Sequence, residues 1–440
     1  MRSHSLTFAS VLMATAASGA AAQDLYLRGG TLVDPRTETE RVASLLIVDG
    51  RVAGTPDEAP QGFDGEVIDA NGLFVLPGLH DLHTHSFGNG GPTRATGEMF
   101  GTPGTLQRAL AVGVVGVLDL FNAEDVILGM RDRQRGDPTT LPGADLFAAG
   151  PCITATAGHC TEYGLPTRVI DSPEDARREL AELAPKRPDV VKLVHHTGGR
   201  MPTIDAATLE AAIAAAREHD LKTVVHVGQW SDAEAAVRAG ATAITHAPDS
   251  TASLIPDPLL AFVIERGTMV IPTLAVYLDL GRYVGDAQAF DDPLLRRVVG
   301  DPLRAAFVAA DPAGESLARR LAAARRERDV RLATVKKLAD AGAPLLVGTD
   351  AGNGGVFQGY SVHREMQLFV EAGVSTWETL RAATTRASDF LGRPLGFRAG
   401  DHASFVLLAA SPVADVANTT RIVEVVHDGR TIDRDALLGR

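Results

Sequence analysis

Short apolar runs broken by turn residues both open and close the chain. Leu25-Tyr26-Leu27, residues 44–48 and Glu66-Val67-Ile68 read as small strands, with Asp49-Gly50 as a turn among them. Residues 403–408 and 422–426 have the same character, and His427-Asp428-Gly429-Arg430 is a hairpin signal. The two ends together predict one composite β-unit. Between them, β-like runs alternate with helical segments, the pattern of βα units on a parallel sheet. The predicted strands are 79–85, 114–120, 145–149, 190–194, 223–227, 243–245, 268–273 and 344–348. Helix signals fill the gaps: Leu209 and Ile213 lie four apart in an Ala-rich segment, and Ser231 with Glu234 predicts a capping box for a helix that stops at Gly240. Ser375 with Glu378 repeats the device before a helix ending near Gly392. Eight strands alternating with helices predict the α/β class and a (β/α)8, TIM-like barrel. Residues 274 to about 315 exceed an ordinary βα loop and carry Tyr277 and Tyr283; a lid and an extra surface helix pair both fit them.

With 45% hydrophobic and 22% charged residues over 440 positions, the composition is that of a soluble globular enzyme. The formal charge of -13 and the lack of a basic tail speak against nucleic acid as a partner. The densest cationic run, 319–337, is interleaved at helical spacing and reads as a solvated helix face. Residues 1–22 combine an early Arg2, an apolar stretch and Ala20-Ala21-Ala22, which reads as a secretory signal cleaved after Ala22. A periplasmic or secreted protein is therefore expected, without a membrane anchor, because the apolar stretch is too short to span a bilayer. Cys152 and Cys160 are the two cysteines. A disulfide is permitted in an oxidising compartment, and two small buried thiols fit equally well. A monomer and a homo-oligomer both remain open.

The chemistry-bearing residues enter this frame at defined places. His83 and His85 project from one face of an extended strand, so both rings can meet one cation. Alone, the pair fits two surface histidines as well as two ligands. Lys192, His226, His246 and Asp350 follow, each after a short apolar run. In a barrel, all of them stand at the C-terminal strand ends, where active sites form.

The segment Pro77-Gly78-Leu79-His80-Asp81-Leu82-His83-Thr84-His85, with those four later residues in order, resembles the metal motif of the amidohydrolase superfamily. The resemblance is nearest to the branch of imidazolonepropionase-like proteins and metal-dependent Xaa-Pro and Xaa-Arg dipeptidases. It implies a hydrolase barrel over 78–397 beside a small composite β-sandwich from 23–77 and 398–440. It further implies two divalent metal ions. His83, His85 and Asp350 would hold one, His226 and His246 the other, and a carboxylated Lys192 would bridge them. Zinc is the default for a histidine-rich site, although manganese, cobalt or iron accept the same donors. An apolar strand suits that lysine, since burial depresses an ammonium and frees the amine.

In the mechanism so implied, a metal-bridging hydroxide attacks an amide carbonyl, and Asp350 takes its proton and passes it to the leaving amine. His159 is the oxyanion candidate, although Thr156-Ala157-Gly158-His159 departs from the Thr-Gly-Gly-His of related dipeptidases. His195, His196 and Arg200 follow the fourth strand as candidate substrate contacts, and the Arg200 fork suits a carboxylate. His80 and Asp81 are expected to support the first strand. Related dipeptidases often carry a tyrosine just beyond the fifth-strand histidine, where this chain reads His226-Val227-Gly228-Gln229. Gln229 cannot titrate, which argues with Lys192 against a deaminase. The expected function is an exported hydrolase of a small-molecule substrate, a dipeptide or an N-acyl amino acid. The alternative is a hydrolase of cyclic amides or lactones, including imidazolone-like rings. A non-catalytic scaffold would have lost ligands, and all six are present.

Overall fold

The computed structural model describes residues 24–93, 95–248 and 253–439; the expected signal segment lies outside them. Leu79–Thr84 pairs in parallel with Val114–Asp119, which pairs with Asp145–Ala148. The third strand then breaks at Gly150-Pro151, where Gly150 has φ 80°, and resumes as Cys152–Thr154. That second half pairs with the fourth strand, Val191–His195. The expected strand 145–149 thus pairs only with the second strand, and the unforeseen segment 152–154 carries the sheet on to the fourth. The ladder continues through Thr223–Val227 and Ala243–Thr245 to Met269–Ile271.

Residues 344–348 form an eighth connection without becoming a full strand. Val270 N–H donates to Pro344 O at 3.0 Å, Leu346 N–H to Val270 O at 2.9 Å and Leu82 N–H to Val347 O at 3.0 Å, which joins the seventh strand to the first and closes the ring. Gly348 permits this approach. A Cβ there would stand 2.6 Å from the Ile271 side chain and 2.8 Å from His83 N.

Strands from both chain ends share one eight-stranded sheet. Leu25–Asp34 branches it at a register shift between Leu27 and Gly30: residues 25–28 pair with Glu66–Asp69, and residues 31–32 pair with Phe74-Val75. Phe74–Pro77 then pairs with Phe405–Leu408 and leads through Gly78 into the first barrel strand. The unit has its own core, including Leu25, Leu27, Leu45, Ile47, Phe405 and Leu407. The strand carrying His83 is thereby anchored on a packed body outside the barrel.

Two local expectations are corrected. The helix Trp230–Ala239 is capped by Gln229 with Asp232, not by Ser231 with Glu234. The buried Asp232 carboxylate accepts N–H bonds from Thr197, Gly228 and Gln229, so the helix starts two residues earlier, while Glu234 turns outward to Arg238. Ser375 does cap its helix, but Thr376–Ala383 and Thr385–Phe390 are separate helices, parted where the Thr384 hydroxyl donates to Leu380 O at 2.6 Å. Among the described residues, no helix is long and apolar enough to cross a membrane.

Phe405 is fully buried and stacks on Phe397 at 5.6 Å. Phe405→Ala should cost roughly 3–5 kcal/mol. A lower urea midpoint with unchanged metal content is the expected result.

Candidate metal centre

His83 and His85 meet Asp350 at the mouth of the barrel. The Asp350 N–H donates to His83 O at 2.6 Å and the His85 N–H to Ala351 O at 2.9 Å, so the eighth connection is laced to the first strand at the ligands themselves. Asp350 Oδ1 lies 3.0 Å from His85 Nε2 and 3.5 Å from His83 Nε2. The three ligand atoms all fall within 4.8 Å of one another. Across the cavity, His226 Nδ1 and His246 Nε2 are 2.9 Å apart, and the His83 and His246 rings have centroids 5.3 Å apart. Lys192 joins the two groups, its Nζ 3.4 Å from His83 Nε2.

Threonines aim two of these rings. Thr245 Oγ1 hydrogen-bonds His83 Nδ1 at 2.6 Å and leaves Nε2 toward the centre. The Thr273 hydroxyl donates to Pro272 O, so it accepts from His246 Nδ1–H at 2.8 Å and leaves the His246 Nε2 lone pair facing inward. His246, Thr273 and Asp350 sit at φ 77°, 52° and 61°. Left-handed backbone is unusual for such residues and gathers at functional sites, where surrounding structure maintains it.

Burial pushes His83 and His226 well below the usual imidazole range, with neighbouring positive groups adding to the effect. Burial acts to raise Asp350, but the surrounding histidines hold it well below the usual carboxylate range. Burial lowers Lys192 to about 8, against the opposing pull of Asp350. Imidazole lone pairs and a carboxylate converging in a buried pocket suit a divalent metal.

The cavity holds about 320 Å³ and includes all six predicted ligands and His159 in its lining. His159 Nδ1 donates to Glu162 Oε1 at 2.7 Å, and its ring lies 5.0 Å from that of His226. His196 and Arg200 line an adjoining hollow that shares His159, and Arg200 is exposed. His195 does not reach the cavity. It is buried, with Nδ1 bonded to Ile204 O at 2.9 Å and Nε2 3.9 Å from Asp232, because successive strand residues face opposite sides. His80 and Asp81 are buried supports: Asp81 accepts from the Thr349 hydroxyl at 2.5 Å, and burial raises it to about 7 while lowering His80 to about 4.

An apolar wall of Phe87, Phe121, Tyr163, Val276 and Tyr277 completes the cavity. Tyr277 belongs to the long segment suspected of forming a lid, whereas Tyr283 packs away from the cavity among Phe290, Phe307 and Phe357. Arg331, expected on a solvated helix face, is fully buried, its guanidinium 3.5 Å from the Tyr277 ring centroid. Glu365 is also buried and accepts the N–H groups of Leu274 and Ala275, each at 2.7 Å, holding the start of that segment. Nothing in the sequence spacing connects these residues.

The site and fold define a metal-dependent hydrolase on a (β/α)8 barrel. Residues 74–432 match the Amidohydrolase family, and the chain belongs to it. A dihydroorotase of Solibacter usitatus (strain Ellin6076) is 43% identical over 61 residues, which span 14% of each chain. A structure of a Xaa-Pro dipeptidase with bound methionine superposes with a TM-score of 0.73 at 18% identity, covering 93% of this chain and 99% of that one. Molinate hydrolase gives 0.72 at 19% identity, covering 94% and 96%. At these identities the structural likeness is one of fold.

His83→Ala should release most of the bound metal on dialysis, as read by elemental analysis. Glu365 supplies a pH prediction. Burial raises it from 4.5 to about 8, so the folded state holds a proton that the unfolded state has lost. Its stabilising contribution is complete below the unfolded value and is lost as pH rises through the folded one. Thermal melting from about pH 5 to about pH 9 should show this decline in the wild type and a flatter profile in Glu365→Gln.

Proposed function

We propose that the protein is an exported binuclear hydrolase that cleaves an amide bond in a dipeptide or an N-acyl amino acid. The observation that carries this reading is the convergence of His83, His85, Lys192, His226, His246 and Asp350 on one cavity beside His159. His83, His85 and Asp350 would hold one ion, and His226 with His246 a second. Lys192, carboxylated, would supply oxygens to both, and its lowered pKa supports the free amine that carboxylation consumes. Zinc suits the histidine-rich donors. When bound, such ions supply Lewis acidity and a nucleophilic water near neutral pH.

The chain's own residues account for the remaining work. Asp350, beside His83 and His85, accepts the proton of the attacking water and hands it to the leaving nitrogen. Glu162 holds the Nδ1 proton of His159 and turns the Nε2 edge to the cavity. That edge of His159 faces the substrate carbonyl oxygen where charge develops. Arg200 and His196, in the hollow that shares His159, suit a substrate carboxylate on the far side of the scissile bond. Export is supported by residues 1–22 of the sequence and by the Cys152–Cys160 bond, since disulfides persist in oxidising compartments.

Protein produced with zinc and bicarbonate should carry about two metals per chain and cleave members of a dipeptide and N-acyl amino-acid library. Lys192→Ala should lose metal and activity together. One metal with cleavage confined to cyclic amides or lactones would favour the ring-opening alternative, and a metal-free protein inert on the library would sink the hydrolase reading.

A further inference from the structure

The loop after the third barrel strand carries His159 and is tied back to that strand by a covalent bond. Cys152 opens the strand segment Cys152–Thr154, Cys160 directly follows His159, and the two form a disulfide with Cα atoms 6.5 Å apart. Both cysteines are buried and pack with Phe121 and Val194. Cys160 also lines the catalytic cavity. The strand end is a firm anchor, because Cys152 pairs in register with Lys192.

The loop itself holds an unfavourable shape. Ala157 has φ 55° and Cys160 φ 89°, both in the left-handed region that side chains disfavour. Gly158, between them, is wedged: a Cβ there would lie 2.4 Å from Thr154 Oγ1 and 2.9 Å from Pro202 O. His159 and Glu162, whose hydrogen bond orients the ring, both retain partial exposure, with side chains 31% and 26% accessible. Such a loop would relax without a restraint beside the ring.

We propose that the Cys152–Cys160 disulfide is a positioning element that holds His159 against the ligand cluster, so that opening it lowers turnover while leaving the metal ligands in place. The geometry allows this separation, since none of the six ligands lies on the loop between the cysteines. The inference rests on the role given above to His159. A misplacement of about 1 Å at a reacting group costs on the order of 100-fold in rate. Cys160 acts through His159 and is itself no catalytic group.

The test compares metal-loaded wild type, the Cys152→Ala/Cys160→Ala double variant, His159→Ala and the triple variant. A phosphine reductant opens the wild-type bond without competing for metal as a thiol would. The phosphine takes oxygen from water, becomes its oxide and delivers two electrons and two protons, leaving two thiols. The expected result is a kcat loss of roughly 10- to 100-fold on reduction and in the double variant, with KM and metal content little changed. The phosphine should do nothing further to the double variant, and removal of the bridge should cost nothing further in the His159→Ala background. In ¹⁵N-histidine-labelled protein, the His159 Nδ1–H resonance, assigned by its absence in His159→Ala, should broaden or vanish when the bond opens.

An unchanged resonance, unchanged kcat or a loss that adds fully to that of His159→Ala would overturn the proposal. If the double variant fails to fold, the reduced wild type, with its chain unaltered, gives the same readings. Full kcat in His159→Ala would overturn the catalytic role of that residue, and the resonance alone would then decide the positioning.

Discussion

The structure depends on keeping ionisable groups together out of water. Asp350, Lys192 and the imidazoles of His83, His85, His226 and His246 share one cavity, where burial opposes the charged forms of Asp350, Lys192, His83 and His226. Burial disfavours charge on His83 and His226, so the Asp350 carboxylate draws on the other groups of the cavity or on a bound cation. A divalent cation would answer that need, and His83, His85 and Asp350 would hold it. The remainder of the barrel mouth prevents these side chains from turning away.

That restraint comes from the backbone. The eighth connection has little regular strand structure, yet its hydrogen bonds to His83 and Leu82 register Asp350 against the first strand. Left-handed conformations at His246, Thr273 and Asp350 place ligands and their supports where a continuous strand would have carried them past the centre. Thr245 and Thr273 occupy the outward ring nitrogens of His83 and His246, which fixes the edge each ring presents. The sheet built from both chain ends anchors the first strand from below through Phe74–Pro77.

The substrate wall is assembled from distant parts of the chain. Tyr277 is set by two buried ionisable residues on separate helices: Arg331 lies against its ring, and Glu365 holds the backbone where its segment begins. Phe121 closes the second strand and packs on the disulfide that borders His159. The exposed Arg200 and the half-buried His196 line the adjoining hollow.

The six residues that line the cavity and the barrel that gathers them were legible in the sequence because both leave local marks. Alternating apolar runs encode strands, and a ligand at the end of each run needs no knowledge of the partner strands. Tertiary structure alone decided the rest. His195 and His196 are adjacent in sequence, but the alternation of strand faces buries one and leaves the other beside the cavity. Arg331 shares a helix with exposed arginines such as Arg319, and only the packing of that helix against the Tyr277 segment makes it part of the wall. The third strand changes neighbours at Gly150-Pro151, and the two cysteines meet because the loop beyond it turns back on itself. Local periodicity specifies which face of an element is apolar; which neighbour covers that face is settled only when all the elements pack at once.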